Sequence, residues 1–457
     1  MRIAGCASTR SGRSQSAVLN PHSLPHVSAR RTAGILLVAF TLLPGGAGCR
    51  LEHYDVGDSG PPLFASVDII QAPAAPGSAE PNLTVGPGRR VYLSWLEPGR
   101  DSTYAFKVAV RDGDHWSAPR TIVREKNLFV NWADFPSIVA LPDGRLAAHW
   151  LQRTGPGRYS YGVRVSQSSD GGATWSRPVT PHRARVETEH GFASLWPAAA
   201  ARLGILWLDG RKYRPTGQTA PNEMMLITTT IGADNALGTE VGVDDRVCDC
   251  CQTAVAIAGG APVAVYRDRT ADEIRDIYVV RQVDGRWSVP KPVHNDGWRI
   301  AACPVNGPAI AADGDRVVVA WFTGAGDTAR VNVAFSDDAG ETFNLPTRVD
   351  NGTPAGRVDV VLQADGSALV SWLERTAVTS VQGGSEGAEV RVRRVRPDGS
   401  LGQWATIARS TVARASGFPQ MVTTPRGEVF FAWTAPGNPS TVRVARAIVR
   451  RSPEGGA

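Results

Sequence analysis

One arrangement of apolar and polar residues recurs seven times in this chain. In each copy a short strand-like segment leads through a glycine-containing turn into an apolar segment that ends in an aromatic residue. The aromatic residues follow one another at intervals of 51 to 61 residues and are Trp95, Trp150, Trp207, Tyr266, Trp321, Trp372 and Trp433. An alternating segment follows, and often a fourth with a Ser/Pro signature. Four short strands in each period predict the blade of a β-propeller.

We therefore predict an all-β fold, a β-propeller of four-stranded blades, with seven blades by repeat count and six as the alternative. The last copy ends at a third strand, 441–449, whereas segment 65–70 has strand character and precedes the first copy. We expect this N-terminal strand to complete the last blade and close the ring, which leaves no open sheet edge. A solenoid would have a shorter period, and tandem sandwich domains would need about 100 residues each. The predicted propeller covers 63–451, between a linker at 50–62 and a disordered tail at 452–457.

The first 49 residues have the pattern of a secretory leader. Arg30 and Arg31 precede an apolar run at 34–43, and small residues connect this run to Cys49. A run of roughly ten apolar residues is too short to cross a bilayer and is typical of a signal peptide. Segment 46–49 is similar to a bacterial lipobox, whose cysteine is lipidated. We expect export to the bacterial periplasm, or anchoring in the membrane through lipid on Cys49 as a lipoprotein.

The basic charge of the chain lies mostly in this leader. The sequence has 49 Lys and Arg against 43 Asp and Glu, a net charge of +6. Five arginines and no acidic residue precede residue 49, which leaves a net charge of +1 for the rest (6 minus 5). Bulk charge therefore does not support nucleic-acid binding by the propeller. A hydrophobic fraction of 42% excludes a disordered or collagen-like chain.

Two turns share a sequence pattern, Ser-x-Asp-x-Gly-x-Thr followed by an aromatic residue. The aspartate is expected to accept hydrogen bonds from turn N–H groups, glycine to adopt a conformation that other residues avoid, and the aromatic ring to pack between sheets. We expect the residues of this pattern to be structural. They are Ser168, Asp170, Gly172 and Trp175 in one turn and Ser336, Asp338, Gly340 and Phe343 in the other. With this repeat the chain resembles the sialidase (neuraminidase) superfamily of Asp-box propellers.

The resemblance implies a site at the rim opposite these turns, around the mouth of the central channel. A sialidase holds the substrate carboxylate with arginines, attacks the anomeric carbon with a tyrosine that a glutamate activates, and uses an aspartate as general acid and base. The loops at that rim offer Arg211, Arg267, Arg269 and Arg357 for substrate binding. They offer Tyr213 as the nucleophile, Glu273 as its partner and Asp134 as the acid and base. Inter-blade salt bridges are the competing interpretation of the same residues.

Four cysteines beyond the leader lie in the loops before the fourth and fifth copies. Cys248, Cys250 and Cys251 form a Cys-Asp-Cys-Cys run, and Cys303 follows about one period later. Equivalent loops of adjacent blades are neighbours, so we expect the four sulfurs to converge. An even number of cysteines in an exported protein predicts two disulfides. The alternatives are free thiols, or a thiolate site for copper or zinc with Asp249 or His190 nearby.

Three functions follow from these patterns. The first is an exported glycoside hydrolase of exo-α-sialidase type, or a binding relative, that recognises an anionic glycan and requires no cofactor. The second is a non-catalytic scaffold that binds a protein or polymer of the cell envelope. The third is a thiol-based metal or redox protein that uses the cysteine loops. In each case we expect a monomer that contacts the membrane only through its lipid anchor.

Overall fold

The computed structural model describes residues 61–184, 186–213, 223–377 and 386–450. The leader with Cys49, nearly all of the expected linker and the expected tail at 452–457 lie outside these residues. Within them the regular structure is almost entirely antiparallel β-sheet, with three short 3₁₀ turns at Pro87–Arg89, Ala325–Asp327 and Arg414–Ser416. None of the helices described is long and apolar enough to cross a bilayer.

Seven separate sheets form the seven blades of a propeller, which confirms the fold and the blade count. The N-terminal strand is β1 (Phe64–Ile70). Blade 1 contains β2 (Ala79–Val85), β3 (Val91–Pro98), β4 (Tyr104–Asp112), β5 (His115–Trp116) and β6 (Arg120–Glu125). Blade 2 contains β7 (Ser137–Ala140), β8 (Leu146–Arg153) and β9 (Tyr161–Ser168). Blade 3 contains β10 (His190–Ala198), β11 (Arg202–Asp209), β12 (Met224–Ile231) and β13 (Val241–Val247).

The remaining blades follow the same order along the chain. Blade 4 contains β14 (Ala254–Ala258), β15 (Ala261–Arg267), β16 (Ile277–Val283), β17 (Arg286–Trp287) and β18 (Lys291–Pro292). Blade 5 contains β19 (Ala309–Asp313), β20 (Arg316–Thr323), β21 (Arg330–Ser336) and β22 (Thr347–Arg348). Blade 6 contains β23 (Pro354–Leu362), β24 (Ala368–Arg375), β25 (Gly387–Val395) and β26 (Leu401–Thr411). Blade 7 contains β27 (Gln420–Thr423), β28 (Glu428–Ala435) and β29 (Thr441–Val449).

The N-terminal strand closes the ring as expected. Strand β1 pairs antiparallel with β29, with Val67 opposite Ala447, and so becomes the fourth strand of blade 7. Blade 2 is the least complete sheet, because its fourth position is reduced to a single bridge between Val165 and Val179. The two ends of the propeller domain are thereby held in one sheet, which removes the unpaired edge that an open ring would leave.

The core lies between neighbouring sheets. Trp95, Trp207, Trp321 and Trp372, four of the aromatic residues that mark the repeat, are at most 1% exposed. The apolar cluster around Trp321, for example, joins Val263 and Val279 of blade 4 to Val319 of blade 5. The second strands, such as β11 and β20, are buried at nearly every position because each sheet has a neighbour on both faces.

The two Ser/Asp turns have the hydrogen bonds expected of them. The Asp170 carboxylate accepts bonds from Ala173 N and Thr174 N, both at 2.9 Å, and from Thr174 Oγ1 at 2.6 Å. These bonds hold the pKa of Asp170 below its usual range, the Thr174 hydroxyl having the largest effect. Gly340 in the second turn has a φ of 79°, and a Cβ there would lie 3.1 Å from Val263 Cγ1, so glycine suits this position.

The first strand of every blade lines a central cavity of about 440 Å³. The loops before these strands, and those between second and third strands, lie at one end of the ring. The Ser/Asp turns follow third strands and therefore lie at the other end. Strand order alone thus places the predicted rim residues on one face of the propeller.

Candidate functional site

Loops from blades 3, 4 and 5 meet at this rim and bring several predicted residues together. Tyr213 follows β11, the run Cys248–Cys251 precedes β14, Glu273 lies between β15 and β16, and Cys303 precedes β19. Direct contacts, given below, connect all of these loops. The four sulfurs, expected to converge, lie in two overlapping groups that share Cys250.

The four cysteines are free thiols in this structure. Cys248 Sγ lies 3.3 Å from Cys251 Sγ and 3.8 Å from Cys250 Sγ. Cys248 and Cys251 are buried, Cys250 is half-buried and Cys303 is exposed. A disulfide needs an S–S bond of about 2.05 Å. Pairing of these cysteines into disulfides therefore stays a prediction. In the structure Cys248, Cys250 and Cys251 are thiols packed against one another.

Asp249, between the cysteines of the run, connects the thiols to the neighbouring loops. Its carboxylate accepts a hydrogen bond from Tyr213 Oη at 3.1 Å, and contacts Cys303 Sγ and Arg275 Nη1, each at 3.5 Å. Burial and the charge of Asp249 raise the pKa of Tyr213 above its usual value. Tyr213 is therefore a neutral phenol paired with Asp249, and not with Glu273 as expected.

Arginine charge lies directly against the buried thiol of Cys248. Arg275 Nη1 is 3.3 Å from Cys248 Sγ, and the Arg275 side chain is only 4% exposed. Burial opposes ionisation of Cys248, but its hydrogen bonds with the Cys250 and Cys251 thiols and the charges of Arg267 and Arg275 together outweigh it. The pKa of Cys248 is therefore held well below its usual value, whereas burial raises the pKa of Cys251.

Glu273 is bound by two arginines and cannot activate Tyr213. It accepts hydrogen bonds from Arg269 Nε at 3.0 and 3.1 Å and from Arg269 Nη2 at 2.7 Å, and another from Arg275 Nη2 at 2.9 Å. The Arg269 hydrogen bonds lower its pKa to about 2, with Arg275 contributing further. Arg269 remains 20% exposed and lies at the edge of the thiol cluster. The predicted partner of the nucleophile is thus part of an ion-pair network that fixes Arg275.

Arg267 and Arg357, expected to bind substrate, face the protein interior instead. The Arg267 guanidinium donates to Asn306 O, Arg275 O and Phe322 O at 2.6 to 3.0 Å and lies over the Trp298 ring. Arg357 donates to Gly417 O, Val412 O and Ala413 O at 2.8 to 3.1 Å. Both are buried, at 2% and 6% exposure. Their guanidinium N–H groups donate to backbone carbonyls, so neither arginine has a free pair of donors for a ligand carboxylate.

Arg211 is held by a structural aspartate. It donates to Asp209 through Nε at 2.7 Å and Nη2 at 2.8 Å, and to Glu240 through Nη1 at 3.0 Å. Asp209 also accepts the indole N–H of Trp207 at 2.8 Å. The same tryptophan-to-acid bond joins Trp95 to Glu97 and Trp372 to Glu374. The repeated Trp-Leu-acid pattern in the sequence was a signal that these carboxylates are structural.

Asp134 connects neighbouring blades rather than facing the rim. Its Oδ1 accepts a hydrogen bond from Phe192 N of blade 3 at 2.8 Å, and its Oδ2 lies 2.9 Å from Tyr161 Oη. Equivalent bonds join Gln252 to Gly307 N, Asn306 to Arg357 N and Asp359 to Met421 N. Burial raises the pKa of Asp134 to about 7. Asp134 is thus one of a series of inter-blade links, and its role as general acid and base stays a prediction.

Tyr161 and Glu189 extend this link toward the rim. Tyr161 Oη lies 2.6 Å from Glu189 Oε1, and burial raises the pKa of Glu189 to about 8. A phenol has one proton to donate, so one carboxyl accepts it while the other, protonated, donates to the phenol oxygen. Tyr161 begins strand β9 rather than lying in a rim loop, and its pairing with Glu189 was therefore not predicted from the sequence.

His190, considered as a ligand near the thiols, instead stacks on His182 and faces Asp209.

The thiol cluster has the chemistry of a metal site. The metal-binding atoms of Cys248, Cys250 and Cys251 all lie within 4.8 Å of one another, as do those of Asp249, Cys250 and Cys303. A tetrahedral ion with metal–sulfur bonds of about 2.3 Å separates its sulfurs by about 3.8 Å. Cys248 and Cys250 have this spacing, whereas Cys248 and Cys251 lie closer together, at 3.3 Å. Asp249 was expected near a thiolate metal site, whereas the contact of Arg275 with Cys248 was not predicted from the sequence.

Comparison with known proteins adds structural likenesses only. No family model matches the chain, and no curated protein matches it. A protein of unknown function from Dyadobacter fermentans has 15% identity and a TM-score of 0.47, over 85% of this chain and 99% of that one. The NanB sialidase from Streptococcus pneumoniae has 10% identity and a TM-score of 0.44, over 79% and 83%. The α-L-arabinofuranosidase Arb93A from Fusarium graminearum has 13% identity and a TM-score of 0.46, over 85% and 98%.

Proposed function

We propose that this propeller binds a thiophilic metal ion, Cu(I) or Zn(II), through Cys248, Cys250 and Cys251. The observation that carries the proposal is the convergence of three sulfurs within 4.8 Å in a mostly buried loop. Thiolates are the ligands that select Cu(I) and Zn(II) over harder ions such as Mg²⁺ or Ca²⁺.

The surroundings of the sulfurs support an ionised ligand set. Three thiolates carry three negative charges, and burying them without compensation would be costly. Arg275 lies 3.3 Å from Cys248 and is held by Glu273, so a fixed positive charge is already in place. Hydrogen bonds to ligand atoms from such neighbouring groups orient the ligands and tune the bound ion.

The proposal is tested by metal analysis of the folded protein prepared under anaerobic, reducing conditions. We expect wild-type protein to retain Cu(I) or Zn(II) after gel filtration, and Cys248→Ser and Cys251→Ser to lose it. Ser410→Ala, a similarly buried position in blade 6, is the matched control and should bind metal like the wild type. Metal-free wild-type protein after loading with each ion, or protein whose four thiols are all oxidised to disulfides when isolated, would refute the proposal.

A second candidate function is carbohydrate binding on the same face, which the arrangement of aromatic residues favours. Half-buried Trp132 and Tyr213 belong to one apolar cluster that also contains Cys250. Beside them, Asp249 is 28% exposed and Arg269 20% exposed. Aromatic faces next to carboxylate and guanidinium groups suit a sugar ring with polar substituents. This candidate does not include the arginine cluster expected of a sialidase, because the guanidinium groups of Arg267 and Arg357 donate hydrogen bonds to backbone carbonyls.

A glycan array tests this candidate. Retention of a glycan by the wild type and its loss in Trp132→Ala would support carbohydrate binding, and a fluorogenic sialoside would reveal turnover. An array on which wild type and Trp132→Ala behave alike would refute it. We also propose, from the leader, that the protein is exported. The mass of the mature N-terminus would show whether Cys49 is lipidated.

A further inference from the structure

The thiols form two overlapping groups rather than one. The inner group is Cys248, Cys250 and Cys251, and the outer group is Asp249, Cys250 and Cys303, with Cys250 common to both. We infer that Cys250 is a shared ligand of two metal positions, so that the chain binds two Cu(I) ions. This inference rests on the metal binding proposed above and extends it.

The distances argue against a single four-sulfur position. In a tetrahedral Cys₄ site every pair of sulfurs is about 3.8 Å apart. Cys303 falls outside the 4.8 Å group that the other three sulfurs form, and instead lies 3.5 Å from Asp249 Oδ1. Bringing Cys303 onto the inner ion would require it to leave Asp249. The side chains as they stand make two three-ligand sets.

The two positions differ in their access to solvent. Cys248 and Cys251 are 1% and 2% exposed, so the inner position is closed. Cys303 is exposed and Asp249 is 28% exposed, so the outer position opens to solvent. An ion arriving from solution therefore reaches the outer ligands first, and the route inward passes Cys250.

The two ligand sets also differ in softness and charge. Three thiolates make the inner set the softer one, which suits Cu(I), whereas the carboxylate of Asp249 makes the outer set harder and weaker for that ion. Arg275 lies against Cys248 and compensates negative charge at the inner position. Transfer inward exchanges Asp249 and Cys303 for Cys248 and Cys251 while Cys250 stays bound. Each thiol that becomes a ligand releases its proton to solvent, the released Cys303 thiolate takes up a proton, and the oxidation state of copper does not change.

The test is an anaerobic titration of the full folded protein with Cu(I), in competition with a chromophoric Cu(I) chelator. We expect about two equivalents for the wild type, a tighter and a weaker one. Cys303→Ser should retain only the tighter equivalent, and Cys250→Ser should lose both. Ser410→Ala should match the wild type, and far-UV circular dichroism should show that every variant is folded.

The outcomes separate this inference from the proposed function. One equivalent in the wild type that Cys303→Ser leaves unchanged would overturn the shared ligand and leave metal binding intact. One equivalent that Cys303→Ser abolishes would indicate a single four-thiol position, with the same consequence. If the wild type binds no Cu(I) in competition with the chelator, the shared-ligand inference is overturned. If it also fails to bind Zn(II), the proposed metal binding is overturned as well.

Discussion

Arg267 offers the sharpest test of how the rim is built, because sequence and structure assign it opposite roles. As a substrate ligand it could be removed with little effect on stability. In the structure its guanidinium donates to three backbone carbonyls, those of Asn306, Arg275 and Phe322. It is 2% exposed. We therefore expect Arg267→Ala to destabilise the whole propeller.

The magnitude follows from the groups left behind. Each buried carbonyl that loses its donor costs about 1–3 kcal/mol, and the lost contact with the Trp298 ring, 4.9 Å away, adds about 0.5–2 kcal/mol. Water entering the space will satisfy part of this loss, so we expect a decrease of about 3–5 kcal/mol in the free energy of unfolding. That is a large share of the roughly 5–15 kcal/mol of a typical domain.

Equilibrium urea unfolding, followed by tryptophan fluorescence and checked for refolding, measures this difference. Arg269→Ala is the matched control, because Arg269 lies two residues away and its ion pair with Glu273 is partly exposed. Such pairs contribute about 1 kcal/mol or less. If Arg267→Ala unfolds within about 1 kcal/mol of the wild type, the carbonyl contacts are not what holds this loop, and the guanidinium would again be a candidate substrate ligand.

The remaining predictions concern buried and turn carboxyl groups. Burial raises the pKa of Glu80 to about 8, against the opposing charge of Arg357. Because the folded state binds this proton more tightly than the unfolded state, stability should fall as pH rises from about 4.5 to 8, by on the order of 3–5 kcal/mol. Glu80→Gln should flatten that slope in unfolding measured at pH 5 and 8.5, and an unchanged slope would contradict the assignment. Asp134→Ala should cost about 1–3 kcal/mol in urea unfolding by leaving Phe192 N–H unpaired, and Asp134→Asn should recover most of it; equal losses would argue against the inter-blade link. Asp338→Ala should lower the thermal midpoint only slightly, because its turn lies near the surface, and a loss as large as that of Arg267→Ala would contradict this view.

The fold was predictable because its signal repeats. Seven aromatic residues at similar spacing, and a missing fourth strand in the last copy, determine the blade count and the ring closure without any single element being certain. The convergence of Cys303 with the Cys248–Cys251 run was predictable for the same reason, since loops one period apart are neighbours in a propeller.

The roles of individual rim residues were not predictable in this way. Whether a guanidinium faces solvent or loop carbonyls depends on the path of the backbone around it, and the sequences at Arg267 and Arg357 do not reveal that path. Asp134 is recognised as an inter-blade link only when its hydrogen bond is compared with the equivalent bonds of Asn306 and Asp359 in the structure. The sequences around these three residues differ, so the sequence alone does not reveal their common role. Asp209 was different, because its tryptophan two residues earlier marked it as structural.

The position of the thiols also bears on how the proposed metal binding would relate to folding. In a small zinc module the ion assembles the fold, because the ligands are not brought together without it. Here the loops that carry the cysteines are fixed by contacts that involve no sulfur. Gln252, next to Cys251, accepts Gly307 N at 3.0 Å and donates to Ala133 O at 2.6 Å. Arg267 fastens the carbonyl of Asn306, three residues after Cys303, at 2.8 Å. Folding of the propeller thus brings the thiols together, so the free energy of the proposed metal binding would contribute to affinity rather than to folding.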